Sequence, residues 1–247
     1  MRSSTWVEAI PYCGPGPAPA DWLARWNADP ALLGVLAAVA AAQLARGRRG
    51  GDPRFWLGLA ALLVAFVSPL CALSSALFAA RVVHHVVLIA VAAPLLALAL
   101  PRLHAGNLAL LAAIHAASMW VWHAPQAYSA ALAHDVLYWL MQASLLLPAV
   151  LFWRTVFAAS APAAAVGLLA FMAQMGLLGA LISLSPEPLY APHANTTHPW
   201  GLTPLEDQQL GGLIMWAPAS IPYLAAALAQ MHRWLAEEAA PAGSGTA

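Results

Sequence analysis

Residues 79–100 read Ala79-Ala-Arg-Val-Val-His-His-Val-Val-Leu-Ile-Ala-Val-Ala-Ala-Pro-Leu-Leu-Ala-Leu-Ala-Leu100. From Val86 onward every residue is apolar. The stretch has the length of the roughly 20 residues that a helix needs to cross a hydrocarbon core. It lacks the period-two alternation of a barrel strand, and a backbone in lipid must bond its polar groups within the segment. The reading is therefore a membrane helix, with Arg81, His84 and His85 near one end and Pro94 inside it.

Six further apolar runs follow the same pattern: Leu32–Ala45, Phe55–Leu73, Leu108–Trp122, Val136–Phe157, Ala163–Leu184 and Leu210–Met231. The expected fold class is all-α, a polytopic transmembrane bundle of about seven spans. Composition agrees. Of 247 residues, 62% are hydrophobic and 8% charged, and mean hydropathy is +0.72. A soluble domain has about 45–50% apolar and about 25% charged residues. Pro94, Pro148, Pro218 and Pro222 fall within runs and should bend them, since each removes a backbone donor.

Arg placement sets the expected orientation. Arg46, Arg48, Arg49, Arg54, Arg102, Arg154 and Arg233 fall on one side, and Arg2, Arg25 and Arg81 toward the other. The first side should be cytoplasmic, which places the N-terminus outside and the C-terminus inside, as seven crossings require. The expected organisation is a periplasmic segment 1–31, a transmembrane domain 32–232 with an outer loop 185–209, and a cytoplasmic tail 233–247, disordered from 237. Residues 1–30 show no cleavable signal peptide, so the spans would direct insertion. Residues 11–20 and the Pro-rich outer loop read as turns rather than helix.

Some functions are excluded. Zero net charge argues against a nucleic-acid partner. With no Lys in the chain, a retinal Schiff base is impossible. No nucleophile elbow, phosphate loop, dinucleotide fingerprint or Cys-x-x-Cys occurs, so nothing supports a hydrolase or a nucleotide-driven pump.

On this topology seven of the nine His lie outside or in the outer and middle membrane: His84, His85, His115, His123, His134, His193 and His198. Asp135, Glu187, Glu206, Asp207, Cys13 and Cys71 share the outer side. Cys, His and Met form the ligand set that suits copper, especially the monovalent ion. An ionisable group inside a span points to function by default, which singles out Arg81, His84 and His85. Arg81 could instead pair with Asp207. His193 and His198 read as solvated loop residues, and Met172 and Met175 as packing. Cys13 and Cys71 are open to three readings: a disulfide, metal ligands or unrelated thiols.

Several stretches resemble the multi-span cytochrome c oxidase assembly factors of the CtaG type, which are distinct from a single-span copper chaperone family of the same name. The longest is Trp200-Gly-Leu-Thr-Pro-Leu-Glu-Asp207-Gln-Gln-Leu-Gly-Gly-Leu-Ile-Met-Trp216, with Pro218 after it. Others are Leu184-Ser-Pro-Glu-Pro-Leu-Tyr190, Trp122-His123-Ala-Pro125 with Tyr128 and His134, His85 with the run to Pro94, and Tyr12-Cys13-Gly14 with Trp26-Asn27 and Asp29-Pro30. The resemblance covers most of the chain from Tyr12 to Tyr223. Family members commonly enter the third span with His-Met-x-Gln-His; here Arg81 replaces the first His and His84 the Gln. In the fifth span Tyr138, Met141 and Gln142 stand where further His and Glu are common.

The resemblance implies a non-enzymatic role in maturing a haem–copper cytochrome c oxidase in the bacterial inner membrane, with copper handled at the periplasmic face. The implied partners are oxidase subunits, the lipid bilayer and periplasmic copper chaperones. The candidate metal residues are His85, His123 and Asp207, then His84, Cys13 and Cys71. Two other readings follow from the residues: a copper permease, and a haem- or quinone-binding redox protein using a pair such as His85 and His115.

Overall fold

A computed structural model describes residues 10–45, 52–100 and 106–239. Arg2, Arg46, Arg48, Arg49, Arg102, His104 and the tail from 240 lie outside the described residues. The described residues form helices and connecting turns, without a strand. In chain order the helices are α1 (Pro30–Ala45), α2 (Pro53–Phe66), α3 (Pro69–Ala76) and α4 (Phe78–Val86). A π-helical segment, Val87–Ala92, leads into α5 (Ala93–Ala99). Then come α6 (Leu108–His123), α7 (Pro125–Ala133), α8 (Asp135–Ala158), α9 (Ala161–Leu184), α10 (Pro204–Trp216) and α11 (Ile221–Ala239).

Four continuous helical stretches are long and apolar enough to cross a membrane: Phe78–Ala99, Asp135–Ala158, Ala161–Leu184 and Pro204–Ala239. The bent pairs α2–α3 and α6–α7 raise the number to six if each pair is one span. At 16 residues, α1 is about 24 Å long at 1.5 Å per residue, short of a hydrocarbon core of about 30 Å. The structure therefore carries four to six candidate spans where the sequence leads one to expect about seven, with α1 as the remaining apolar helix.

The breaks have local causes. Pro69 and Pro125 each stand at the start of a helix, where a missing N–H costs nothing, and the residues before them are extended. Ser68 accepts from Leu70 N–H and caps α3, and the chain bends by 43° there and by 75° between α6 and α7. Pro94 acts differently. In the widened turn Ala93 N–H reaches Leu88 O, so the next carbonyl, Ile89, would accept from residue 94, which has no N–H. The indole Nε1–H of Trp153 on α8 donates to Ile89 O at 2.9 Å instead. Pro148, expected to bend its helix, sits within the unbroken 24 residues of α8.

Helix packing depends on small residues. α10 lies against α9 and α4, and α9 also packs on α11. A Cβ on Gly179 would come within 2.7 Å of Gly212 O, and one on Gly212 within 2.6 Å of Gly179 O. Gly211 fills the same need on the other side of α10, facing the Phe78 ring. Close backbone approach of this kind is how helices associate where lipid tails offer no hydrophobic contrast. Val35, Leu57, Leu147, Val166, Leu181 and Leu228 are exposed, the outward apolar surface of a chain solvated by lipid.

Two boundaries differ from expectation. The 185–209 loop is helical from Pro204, because Thr203 and Glu206 form a capping box. Asp207 and Gln208 are therefore in α10 rather than ahead of a span. Residues 237–239, expected to be disordered, continue α11.

A buried histidine and arginine cluster

α4 brings Arg81, His84 and His85 to one end of the bundle, the end that carries residues 185–203, and all three are at most 1% exposed. The start of α4 has no side-chain cap of its own. The Asp207 carboxylate supplies one, accepting Phe78 N–H at 2.7 Å and Ala79 N–H at 3.1 Å. A carboxylate suits the positive end of a helix dipole.

His84, His85 and His123 form a row. Ring centroids are 5.6 Å apart from His84 to His85 and 5.6 Å from His85 to His123. The His123 Nδ1 lies 2.8 Å from Met119 O, so a proton on Nδ1 leaves the Nε2 lone pair free. Tyr190 O–H donates to His123 O, fixing the end of α6. Both ring nitrogens of His85 are without a hydrogen-bond partner among the described residues. A metal between two imidazoles, with bonds of about 2 Å each, sets the nitrogens about 4 Å apart and the ring centres about 6 Å apart.

Arg81 lies beside this row. Its guanidinium carbon is 5.4 Å from the Tyr138 ring centroid, within cation–π range. It is in electrostatic reach of His84, His85, His193, Tyr128 and Tyr138. Tyr138 is packed in turn by Tyr12, with ring centroids 4.8 Å apart. The Tyr12 hydroxyl donates to Asp29, and this bond holds the Asp29 carboxyl below its ordinary range.

The 185–203 segment closes over the cluster. Phe78 stacks on Tyr190 at 3.9 Å. Tyr128 O bonds His193 Nε2 at 2.6 Å, and Thr196 O–H donates to Ala76 O at 2.6 Å. Gln208 accepts Leu189 N–H and donates to Ile182 O, tying the segment to α9 and α10. His193, expected to be solvated, is 1% exposed. Burial, with Arg81 nearby, pushes its imidazole down to about 3.

The candidate residues thus divide. His84, His85 and His123 come together. Asp207 is turned to the α4 backbone and does not ion-pair with Arg81, contrary to the pairing the sequence allows. Cys13 and Cys71 form a disulfide with Cα atoms 5.3 Å apart. In that state neither sulfur is a thiolate, so neither is available as a metal ligand. Among the described residues no group of three His, Cys, Asp or Glu is arranged to hold a metal ion. His115 stacks on Phe171 at 4.1 Å with Phe152 alongside, while the ring neighbours of His85 are His84 and His123. That separates His115 from the pair proposed for haem. Sequence reading gave no role to His193, Tyr128 or Tyr138, although Tyr128 stands in a family-like stretch and Tyr138 where the family commonly carries His or Glu.

The sequence profile described as cytochrome c oxidase caa3 assembly factor (Caa3_CtaG) matches residues 36–109 and 105–237. No match was found among curated proteins or among solved structures. The matched segments span α1 to α11 and include His84, His85, His123, His193 and Asp207, and the chain belongs to the cytochrome c oxidase caa3 assembly factor family.

Proposed function

We propose that this chain assists assembly of a haem–copper oxidase in the bacterial inner membrane by holding copper(I) at the outer face, between His85 and His123. The observation that carries the reading is the 5.6 Å separation of these two rings, with both His85 nitrogens and the His123 Nε2 free of protein partners that would compete for a lone pair. His84 is the adjacent donor. Two-coordinate binding by borderline nitrogen ligands suits copper(I) and leaves a position from which the ion can be exchanged to an oxidase subunit or received from a periplasmic chaperone. On this reading the protein carries no reaction of its own, and copper is its cargo.

The same reading places the 185–203 end outside, with α1, the two bent pairs and the four long helices as seven crossings. The Arg bias supports that orientation. So does the Cys13–Cys71 disulfide at this end, since disulfides persist in oxidising compartments such as the periplasm.

Titration of the purified protein with copper(I) against a competing chelator tests the proposal. One equivalent should bind, and His85→Ala and His123→Ala should each weaken it by at least about tenfold, while Cys13→Ser with Cys71→Ser should not. Absence of binding, or affinity unchanged in both His variants, refutes copper handling here. Deletion of the gene should leave the oxidase assembled but poor in copper.

A further inference from the structure

Gln142 on α8 is a buried amide with nothing to bond. It is 2% exposed, and neither its Oε1 nor its Nε2 has a partner among the described residues. An amide kept from water without a partner is costly, and in lipid no water stands by to relieve it. Gln142 lines a cavity of about 410 Å³ enclosed by α1, α2 and α8. That volume falls in the range of small-molecule sites, about 300–1,000 Å³. The cavity exists because α1 stands off from the bundle: it packs closely along no other described helix, and Leu32 is its only buried residue. Leu36, Leu62 and Leu146 make the walls apolar, and Asp29 and Tyr12 stand at one end. The Tyr12 ring lies 5.0 Å from that of Trp139. Trp139 is three residues before Gln142, about 4.5 Å along the helix. Asp29 accepts from the Tyr12 hydroxyl and the Ala31 N–H, but no cation pairs with it among the described residues.

We propose that this slot holds one glycerophospholipid whose head group ends in a primary ammonium. The acyl chain lies along Leu36, Leu62 and Leu146, an ester carbonyl accepts from the Gln142 amide, and the ammonium sits at Asp29. The spacing of the polar groups selects this class. A negative charge at the mouth with an amide about one turn deeper matches a lipid, whose ester linkages lie just beneath its head group. A bare hydrocarbon would leave Gln142 unpaired. A head group with a phosphate and no ammonium would bring like charge to Asp29. A transmembrane helix, about 10–12 Å across with its side chains, is too wide for a slot this small. Phe66, in the slot wall, is also a ring neighbour of His84 at 5.2 Å, so the lipid packs one residue away from the histidine row.

The proposal does not rest on copper, so its test uses the metal-free full chain, stripped of lipid in detergent. Thermal unfolding is followed as phosphatidylethanolamine, phosphatidylglycerol or an isoprenoid quinone is added in mixed micelles. Native mass spectrometry counts the bound molecules. One phosphatidylethanolamine should bind and raise the midpoint saturably, with phosphatidylglycerol weaker. Gln142→Leu should weaken binding several-fold to about tenfold, the worth of one hydrogen bond. In lipid-free protein the same change should raise the midpoint, because the unpaired amide is gone; a merely structural glutamine would lower it. Asp29→Asn should remove the preference over phosphatidylglycerol. Val35→Trp, at an exposed residue on the α1 side of the slot, should block binding. A midpoint flat with phosphatidylethanolamine overturns the proposal. So does binding unchanged in both Gln142→Leu and Val35→Trp, or tighter binding of the quinone or of phosphatidylglycerol. If Gln142→Leu does not fold, Val35→Trp and the ranking of the three lipids decide the question.

Discussion

The Asp207 carboxylate on α10 caps α4 across 129 residues of sequence, through the backbone N–H groups of Phe78 and Ala79. It thereby sets where α4 begins and so the height of His84 and His85 in the bundle. Asp207→Ala should destabilise the protein by about 2 kcal/mol, from a lost cap and two buried donors left unpaired. Asp207→Asn, which can still accept one bond, should cost less. Thermal or denaturant unfolding in detergent measures both.

The Cys13–Cys71 disulfide joins positions 58 residues apart in sequence. By the chain-entropy relation a loop of that length contributes about 4 kcal/mol. Unreduced protein should resist maleimide labelling under denaturing conditions and label at both sulfurs after reduction. The Cys71→Ser variant should unfold at a lower temperature and lose protection from amide exchange in residues 10–20. Labelling of unreduced wild type would contradict the bridge.

Gly179 and Gly212 meet where α9 crosses α10. Gly212→Ala adds a methyl group that meets the Ser183 hydroxyl first and, behind it, backbone that cannot swing aside: Gly179 O at 2.6 Å and Ser183 N at 2.9 Å. Overpacking of this kind costs about 1–3 kcal/mol. Gly34, with open space around it, is the control: Gly34→Ala should be neutral or mildly stabilising, because Ala is the better helix former. Parallel unfolding curves compare the two.

His193 is held neutral in the fold, down to about 3, against an ordinary value near 6.5 in the unfolded chain. Its folded value is depressed, so its contribution is complete above about pH 6.5 and is lost as pH falls toward 3. Within that window the unfolded state binds one more proton, and the slope approaches about 1.4 kcal/mol per pH unit. Amide protection of the 185–203 segment, corrected for intrinsic exchange rates, should fall over this range. His193→Phe should remove that part of the acid sensitivity; equal sensitivity in the variant would assign it to other groups.

Much of the helix plan was legible from the chain, with particular failures. The apolar runs match helices from Pro30 to Ala45 and from Ala161 to Leu184 closely, because a span is a local property of composition and length. The proline effects were legible only in kind. Pro148 sits in an unbroken helix, while Pro69 and Pro125, near run ends, produce the largest bends. The outcome depends on whether a neighbour satisfies the carbonyl that proline leaves open, as Trp153 does for Ile89. Arg81, His84 and His85 were singled out as ionisable residues inside a span, and His123 by the family resemblance. His193 was not, since nothing local separates a solvated loop histidine from one that folds back under Tyr128.

By itself the sequence determined the solvent and the secondary structure. An apolar fraction of 62% with 8% charge demands lipid, and long runs without alternation demand helices. Tertiary structure alone decided what the polar residues do. It gave Asp207 to the α4 backbone rather than to Arg81, paired Cys13 with Cys71, and set His123 beside His85 while sending His115 to Phe171. The physical reason is range. Helix formation is settled within a few residues by hydrogen bonds of i to i−4, whereas a partner 58 or 129 residues away is chosen by how the helices pack.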